Sequence, residues 1–508
     1  MGAARKKMVP SLVFGDQHWS RPELALLAER ISRSLNALGV GEGDTVAVML
    51  RNSPSYVATV IACKRAGVYL VSLNWHFKAG EVRFLLEDSG AQVLVVHEDL
   101  VEPIRAGVPA GVALLVAPLH EDAEGVATQE WPAPGQQGEP LPDSPRVPFN
   151  SVVYTSGTTG RPKGVRRLPV APEARARVDA EAAQVAKTVY GTTPESVALL
   201  SAPMYHSATM SFASHACAVG ATLVLEPGFD AERTLQLIEQ HRVTHAYLVP
   251  TMYQRLLALP SQVRAKYDIR SLVQVSSTGS PCARGLKQRM IDWLGPVVTE
   301  AYGSSEAGYT TFITAGEWLA KPGSAGRALG SAQLAIVGEG GEELPPGEIG
   351  LIYVRQPAMP DFTYIGREED RRGISRDGLV TLGDMGFIDE DGYLFICDRK
   401  SDMVISGGVN IYPAEIEACI LAMDEVGDVA VFGIPDAEFG EALAAAVQLK
   451  PGRTLDAATI GQRLREKIAN YKIPRTITFH DALPREDTGK IFKRLLREPY
   501  WAGADRRI

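Results

Sequence analysis

The sequence predicts an α/β fold in which a large N-terminal domain is followed by a small α+β C-terminal domain. Helical patterns alternate with short β-branched runs over roughly the first 330 residues, which is typical of βαβ units and parallel sheet. The pattern then changes to short strands separated by Gly and Pro turns, which predicts a β-rich subdomain closing the large domain. A polar run at 398–402 separates a strand from an apolar segment and marks the boundary between the two domains.

The elements are predicted in chain order from caps and periodicity. Ser20 and Glu23 form a capping box at the start of a helix, whose apolar residues recur at helical spacing. Strands of the large α/β part are predicted at 45–50, 68–72, 93–96, 112–116, 151–154, 196–201 and 221–225, with helices at 172–189 and 231–241. Later strands are predicted at 334–337, 349–354, 393–396, 429–432 and 444–449, with helices at 415–423 and 458–469. The acidic, Pro-rich stretch 121–148 predicts a surface connection.

Composition narrows the class of protein. A chain of 508 residues with 45% hydrophobic and 22% charged content is typical of a globular protein of two to four domains. Five cysteines without a CxxC pair indicate neither a disulfide framework nor a zinc site, which favours a cytoplasmic location. The net charge of -8 argues against general nucleic-acid binding, and no apolar run reaches transmembrane length. The oligomeric state is left open, with a homodimer as one alternative.

The stretch 154–165 has the composition of a polyphosphate-binding loop. Gly157, Gly160 and Gly164 allow turns that point successive N–H groups at one anion, and Lys163 adds a positive charge. Further donors to phosphate oxygens are the hydroxyls of Thr155, Ser156, Thr158 and Thr159. The spacing does not fit a Walker P-loop, in which the lysine directly follows the second glycine. A flexible surface loop is the alternative interpretation.

The sequence TSGTTGRPKG at 155–164 resembles the phosphate-binding loop of the adenylate-forming superfamily, which contains acyl-CoA synthetases, luciferases and peptide-synthetase adenylation domains. Three further motifs follow in that family's order: AYGSSEAG at 301–308, the stretch 382–417 and LPREDTGKIFKRLL at 483–496. Together they account for most of the chain after residue 150, whereas the first 150 residues match only in general pattern. Four matches in one order identify the chain as a member of this superfamily.

The resemblance implies which residues bind the nucleotide. Tyr302 would stack on adenine, Asp384 would bind the two ribose hydroxyls, and Arg399 would reach the ribose or a phosphate. Glu306 would help to hold Mg²⁺, which prefers few carboxylates together with shared phosphate oxygens. The remaining candidates for nucleotide contact are Gly279, Ser280, Pro281, Gly303, Ser304 and Ser305. Ordinary turns, a helix cap and a solvated charge are the alternatives for these residues.

The resemblance also implies catalytic residues. Lys490 matches a lysine on the mobile domain that bridges the acyl carboxylate and the α-phosphate, where a positioned cation relieves the repulsion between two anions. Its alternative is one more lysine in a basic tail. His206 falls where CoA-forming relatives have an aromatic residue or a histidine that gates the acyl pocket, although a lone histidine is more often structural. The path of the pantetheine arm of CoA would be lined by Ser406, Gly407 and Gly408.

The predicted function is therefore ATP-dependent ligation of a carboxylic acid to CoA through an acyl-adenylate. The ATP- and acyl-binding domain would span 1–398, the hinge 399–402 would pivot at Ser401, and the lid would span 403–508. Shielding of the reactive adenylate from water explains why one site would serve both half-reactions. Two alternatives stay open, namely a stand-alone adenylating enzyme that loads a carrier protein and a nucleotide-binding protein without catalysis.

Small residues predict a wide acyl pocket. They are Ser207, Ala208, Gly303, Ser304 and Gly308, at or near positions that would line it. No charged residue among them indicates recognition of an amino-acid ammonium group. The chain also resembles bacterial ligases for bulky apolar acids, such as steroid or bile acids and the diterpenoid acids of platensimycin-type biosynthesis. We therefore expect a bulky or long apolar acid, fatty acids included.

Overall fold

The computed structural model describes residues 11–119, 139–144, 151–155, 162–280, 282–407, 409–485 and 491–502. Over these ranges the chain forms four β-sheets covered by α-helices, so the predicted α/β class is confirmed. Of the predicted surface connection, the part 139–144 forms neither helix nor strand. The rest of that connection, 121–138 and 145–148, lies outside the described residues. No helix in the described part of the chain combines the length and the apolar character that crossing a membrane requires.

The nine-stranded sheet has six parallel strands at its centre and antiparallel strands at both edges. Its strands, in sheet order, are Arg327–Ala328, Gly308–Ile313, Val298–Ser304, Gln274–Ser277, His245–Tyr247, Val197–Leu200, Thr222–Leu225, Leu12–Phe14 and Gln17–Trp19. The central strands are short apolar runs buried on both faces, as a parallel sheet requires.

The seven-stranded sheet has five parallel strands, followed by two antiparallel strands at one edge. Its strands, in sheet order, are Phe362–Tyr364, Lys163–Arg167, Ser151–Thr155, Tyr69–Ser72, Thr45–Met49, Val93–His97 and Ala113–Ala117. The candidate phosphate loop lies at this antiparallel edge, where it connects the paired strands Ser151–Thr155 and Lys163–Arg167.

Two five-stranded sheets follow, and the predicted hinge lies between them in the chain. The first is antiparallel and contains Gln333–Val337, Gly350–Arg355, Leu379–Ile388, Ser375–Arg376 and, paired with the third of these, Leu394–Arg399. The C-terminal sheet contains Val409–Ile411, Val404–Ser406, Gly440–Leu449, Val426–Asp436 and, paired with the third of these, Thr476–Phe479. The predicted strand 393–396 extends to Arg399 because Arg399 pairs with Asp384 across the sheet.

The α-helices, in chain order, are Arg21–Ala37, Pro54–Ala66, Ala79–Ser89, Glu98–Ile104, Pro172–Tyr190, Ser207–Val219, Ala231–His241, Pro250–Ala258, Ser261–Arg264, Arg284–Leu294, Ala315–Ala320, Glu368–Gly373, Pro413–Leu421, Ala457–Arg465 and Lys493–Trp501. Short 3₁₀ helices span Arg105–Gly107 and Asn470–Lys472. The predicted capping box is present, since Ser20 N donates to Glu23 Oε2 at 2.6 Å and Glu23 N donates to Ser20 Oγ at 3.4 Å.

The hydrophobic cores follow the sheets. One large cluster contains side chains from both large sheets and from the helices Arg21–Ala37 and Pro54–Ala66, with Trp19 and Tyr56 fully buried. A separate cluster fills the C-terminal sheet and includes Val404, Ile416 and Leu464. Burial of such side chains contributes about 1.5–3 kcal/mol each to folding. Each part of the chain therefore has a core of its own, as expected of separate domains.

Candidate active site

The turn after the strand Val298–Ser304 carries the candidate metal-binding carboxylate. Ser304 Oγ accepts hydrogen bonds from Glu306 N at 3.1 Å and Ala307 N at 3.0 Å, which closes the turn. The chain then returns as the antiparallel strand Gly308–Ile313. The hydroxyl of Ser304, a predicted nucleotide contact, thus accepts hydrogen bonds within the turn itself.

Close packing explains why two residues of this hairpin are glycines. A Cβ on Gly303 would lie 2.0 Å from Gly308 O, and a Cβ on Gly308 would lie 2.6 Å from Met359 Cγ. Gly308 also has a φ of 74°, which disfavours any other residue. The small size of these residues is needed by the hairpin itself, so it is not by itself evidence for a wide acyl pocket.

The Glu306 carboxylate faces the strand that leads into the candidate phosphate loop. Tyr364 OH donates to Glu306 Oε1 at 3.1 Å, and Thr155 Oγ1 lies 3.5 Å from the same oxygen. Thr155 is the last residue of the strand Ser151–Thr155. The structure therefore brings two predicted site residues together from positions 151 residues apart. The loop candidates Ser156, Gly157, Thr158, Thr159 and Gly160 lie outside the described residues.

Lys163 begins the strand on the other side of the loop and pairs with Thr155 across the sheet. Its Nζ lies 2.9 Å from Asp370 Oδ2 and 5.3 Å from the centre of the Tyr364 ring. The lysine therefore stays on the same side of the sheet edge as Glu306. The assignment of Gly164 to a turn is wrong, because Gly164 lies within the strand Lys163–Arg167. A Cβ there would lie 3.0 Å from the Tyr154 ring and from Ile365 Cδ1, which accounts for the glycine.

The candidate ribose site joins Asp384 to both Tyr302 and Arg399. Asp384 is only 7% exposed, and Tyr302 OH donates to its Oδ2 at 2.6 Å. Arg399 Nε lies 3.3 Å from Asp384 Oδ1. Burial, together with the Asp384 carboxylate, raises the pKa of Tyr302 well above its usual value, so this hydroxyl remains a donor. Residues from two of the motifs, 301–308 and 382–417, thus meet at the Asp384 carboxylate.

The other predicted adenine-side residues follow a neighbouring parallel strand. Gly279 and Ser280 come after Gln274–Ser277, which pairs directly with Val298–Ser304. Gly279 has a φ of 90°, so the chain turns there in a conformation that favours glycine. Pro281 lies outside the described residues. Carboxyl ends of neighbouring parallel strands share one edge of the sheet, where ligands of open α/β sheets bind.

The start of the helix Ser207–Val219 contacts the turn that carries Glu306. Ser207 Oγ lies 3.2 Å from Ser305 Oγ, so the hydroxyl of the predicted nucleotide contact Ser305 faces this helix. His206 is the residue immediately before the helix, and its ring packs against Tyr205 with centroids 4.4 Å apart. Two further aromatic side chains, Tyr190 and Tyr309, share a hydrogen bond between their hydroxyl groups, whose oxygens lie 2.7 Å apart. A partly apolar, partly hydroxylated wall therefore lies beside the turn.

One residue of this region escaped the sequence analysis. The guanidinium of Arg167 donates from Nη1 to Glu306 O at 2.7 Å and to Pro360 O at 2.9 Å, and from Nη2 to Ser305 O at 2.5 Å. Arg167 is 5% exposed, and burial lowers its pKa to about 10. The available signal in the sequence was the pair of arginines, Arg166 and Arg167, directly after the phosphate loop.

The predicted hinge lies at the end of the strand Leu394–Arg399. Lys400 N donates to Gly383 O at 2.7 Å, beside Asp384, and Arg497 Nη1 donates to Ser401 O at 3.4 Å. The hinge segment therefore contacts the candidate ribose site on one side and the C-terminal helix Lys493–Trp501 on the other. Lys490, which precedes that helix, lies outside the described residues.

Two of the predicted pantetheine-facing residues, Ser406 and Gly407, lie where a strand of the C-terminal sheet ends in a turn. Gly407 has a φ of 57°, and its N–H donates to Phe439 O at 2.9 Å. A Cβ on Gly407 would lie 2.9 Å from Phe439 Cδ1. Ser406 ends the preceding strand, while Gly408 lies outside the described residues. The positive φ and the contact with Phe439 are sufficient to explain a glycine at 407, whether or not a pantetheine arm binds there.

The donor set at Glu306 fits a hard divalent cation shared with a ligand. Among the described residues, no cluster of three or more His, Cys, Asp or Glu side chains forms a metal cage. Glu306 instead offers one carboxylate next to a threonine hydroxyl and beside the phosphate loop. Mg²⁺ is typically bound in this way, by one or two carboxylates completed by phosphate oxygens and water. The site thus combines carboxylates, hydroxyls and cations suited to a magnesium nucleotide.

The chain resembles known proteins over nearly all of its length. The chain matches the family described as AMP-binding enzyme over residues 2–360 and the AMP-binding enzyme C-terminal domain over residues 415–490. It is 34% identical to the indoleacetate–CoA ligase of Aromatoleum aromaticum, covering 96% of this chain and 94% of the relative. It is 35% identical to a feruloyl-CoA synthase of an Amycolatopsis species, covering 94% and 93%.

A solved structure shows the same fold over almost the whole chain. The crystal structure of ATP-bound MatB from Rhodopseudomonas palustris superposes with a TM-score of 0.83 at 29% identity, covering 98% of this chain and 97% of that chain. The order of domains in these matches is the one that the four sequence motifs predicted. The chain therefore belongs to the AMP-binding enzyme family, and the predicted assignment to the AMP-forming acyl-CoA synthetases is confirmed.

Proposed function

We propose that this protein joins a bulky apolar carboxylic acid to CoA in two steps at one site. The acid carboxylate attacks the α-phosphate of ATP, giving an acyl-adenylate and pyrophosphate. The thiol of CoA then attacks the acyl carbon, giving the thioester and AMP and releasing the thiol proton. The observation that carries the proposal is the meeting of Thr155, Glu306, Tyr302, Asp384 and Arg399 at one edge of the fold.

Each group around the nucleotide has a role that its contacts favour. The two oxygens of Asp384 would accept from the ribose hydroxyls, with Tyr302 and Arg399 holding the carboxylate in place. Lys163 and the loop candidates would bind the phosphates. Glu306 would hold Mg²⁺, which when bound supplies positive charge to the phosphate oxygens. The contacts from Tyr364 and Thr155 orient the Glu306 carboxylate toward the loop.

The C-terminal domain would act in both steps as a lid. Lys490 would lie between the acyl carboxylate and the α-phosphate during the first step, because the two anions otherwise repel each other. Rotation at 399–402 would then withdraw Lys490 and present the turn at 406–408 to the pantetheine arm. The separate core of the C-terminal sheet supports movement as a unit.

The acid would bind beside the helix Ser207–Val219. Its first residues, Ser207 and Ala208, are small and partly exposed, and Ser207 contacts the turn that carries Glu306. Behind them, Tyr190 packs edge-to-face against Phe212 and Tyr309, with centroids 5.3 and 5.9 Å apart. The relatives named for indoleacetate and ferulate act on aromatic acids. Aromatic acids are accordingly the first members of the bulky apolar class to test, with His206 as the candidate gate.

The proposal is tested by measuring pyrophosphate release and thioester formation with a panel of carboxylic acids, with and without CoA. We expect acid-dependent pyrophosphate release and CoA-dependent turnover. Aromatic or long apolar acids should exceed acetate more than tenfold in kcat/KM, since each buried CH₂ contributes about 0.8 kcal/mol. A burst of pyrophosphate without turnover on CoA would favour carrier-protein loading. Absence of pyrophosphate with every acid would favour a non-catalytic nucleotide-binding protein.

A further inference from the structure

Arg167 makes an unusual set of contacts for a buried charge. It ends the strand that Lys163 begins, immediately after the phosphate loop, and it lies opposite Phe362 in the neighbouring strand. Its guanidinium donates hydrogen bonds to the backbone carbonyl oxygens of Ser305, Glu306 and Pro360. A planar guanidinium with several fixed donors is the side chain best suited to hold carbonyl groups in one plane and at fixed spacing.

Packing alone does not explain a guanidinium at this position. Burying a cation costs several kcal/mol, and well-packed apolar side chains often replace buried charges without loss of stability. The Arg167 guanidinium packs near the Phe362 ring, 5.7 Å from its centre, a contact that an apolar residue would also make. The carbonyl groups, by contrast, lose their donors if the guanidinium is removed. Arg167 therefore supplies what an apolar residue could not, namely hydrogen bonds that hold the Ser305–Glu306 peptide in position.

Two sets of contacts together determine where the Glu306 carboxylate lies. Arg167 donates to Ser305 O, in the peptide that precedes Glu306, and to Glu306 O, in the peptide that follows it. Tyr364 and Thr155 contact the carboxylate oxygen at the other end of the side chain. The positive charge of Arg167 also lies close enough to Glu306 to interact with it electrostatically. Loss of the Arg167 contacts would loosen the turn on its carbonyl side, while the hydrogen bonds from Glu306 N and Ala307 N to Ser304 Oγ and the contacts of the Glu306 carboxylate remain in place.

We propose that Arg167 is a positioning residue that holds the Ser305–Glu306 turn so that the Glu306 carboxylate meets the magnesium nucleotide. The inference rests on the proposed role of Glu306 in holding Mg²⁺. It extends that role to a residue 139 positions away in the chain. Because the Arg167 guanidinium donates to backbone carbonyl groups, we expect its effect to be confined to steps that need Glu306 in place.

The test compares ATP binding by titration calorimetry in the presence of Mg²⁺ and of EDTA. The full-length wild type is compared with the variants Arg167→Met, Arg167→Lys and Arg166→Met. Arg166 is the matched control, because it lies on the same strand but stacks 3.9 Å from the Tyr69 ring centre instead of holding the turn. We expect Mg²⁺ to tighten ATP binding by wild type and by Arg166→Met to the same extent. Arg167→Met should lose at least about tenfold of that Mg²⁺ effect, and Arg167→Lys should fall between the two.

A second measurement separates positioning from general damage to the fold. Thioester formation from synthetic acyl-adenylate and CoA needs no magnesium nucleotide, so Arg167→Lys should retain the wild-type rate within about twofold. Equal loss of this step and of the Mg²⁺ effect would overturn the inference, as would an unchanged Mg²⁺ effect in Arg167→Met. A wild type whose ATP affinity is independent of Mg²⁺ would instead overturn the proposed metal role of Glu306, and the inference with it.

Discussion

The substitution Asp384→Asn tests the candidate ribose site most directly. The carboxylate is 7% exposed and accepts from Tyr302 OH at 2.6 Å, with Arg399 Nε at 3.3 Å. Asparagine has the same shape and can still accept from Tyr302 through its one oxygen. Arg399 loses its anionic partner, but its side chain is 45% exposed and remains solvated. The fold should therefore tolerate the change, and the effect should fall on the nucleotide.

The expected magnitude follows from the bonds that change. Hydrogen bonds to charged groups contribute about 1.5–3 kcal/mol each, and asparagine retains one of the two acceptor oxygens. Loss of one charge-assisted bond corresponds to an increase of about 10- to 150-fold in the dissociation constant of ATP. The same variant should lose most of its discrimination between ATP and 2′-deoxy-ATP, because the hydroxyl that Asp384 recognises no longer has a charged acceptor.

Equilibrium binding of ATP and of 2′-deoxy-ATP to the wild type and to Asp384→Asn gives the four dissociation constants that this prediction compares. Asp389→Asn is the matched control, because Asp389 is a nearby carboxylate that pairs with Lys321 Nζ at 2.8 Å. We expect this control to discriminate between the two nucleotides as the wild type does. If Asp384→Asn kept the wild-type ratio of the two affinities, Asp384 would not bind the ribose, whatever the change in overall affinity.

Three further predictions address the lid and the core. Lys493→Met should destabilise the C-terminal domain by about 3–5 kcal/mol, because Nζ lies 2.8 Å from Glu417 Oε1 and both side chains are more than four-fifths buried. Arg494→Met, which breaks an exposed pair within the same helix, should cost less than about 1 kcal/mol, and equal losses in urea denaturation would contradict the comparison. Lys490→Ala should slow adenylate formation by about 3–4 kcal/mol of barrier but leave thioester formation from synthetic acyl-adenylate near the wild-type rate; parallel loss of both rates would argue against a lid with two states. Burial lowers the pKa of His245 below its usual value of 6.5, so the unfolded chain binds a proton first and stability should fall as the pH drops below about 6.5; His245→Gln should flatten that part of the profile of unfolding free energy against pH, and an unchanged slope would show that other groups control it.

Local pattern was sufficient to predict much of the fold. The capping box at Ser20, the alternation of helices and strands, and the change to a β-rich subdomain after about residue 330 all depend on residues close together in the chain. The order of the four motifs likewise identified the family. Element ends were predicted less well where a distant partner determines them, as where the strand Leu394–Arg399 is extended by pairing with Asp384.

Sequence also named most of the residues that the structure brings together, but not the contacts between them. Tyr302 and Asp384 are 82 positions apart, and Thr155 and Glu306 are 151 positions apart. Spacing along the chain carries no information about such distances. The resemblance to a family supplied the expectation that these residues share one site, and the described parts of the sheets supply the geometry.

By itself, the sequence determined the fold class, the family and the chemical types of group in the site, because helix periodicity, turns and short motifs depend on neighbouring residues. Tertiary structure alone decided what several of those residues do. Gly164 packs under Tyr154 within a strand, Gly303 and Gly308 allow a close hairpin, and Arg167 holds the turn that carries Glu306. Gly164 also approaches Ile365, Gly308 approaches Met359, and Arg167 donates to Ser305, so these contacts with distant parts of the chain exist only once the sheets have assembled.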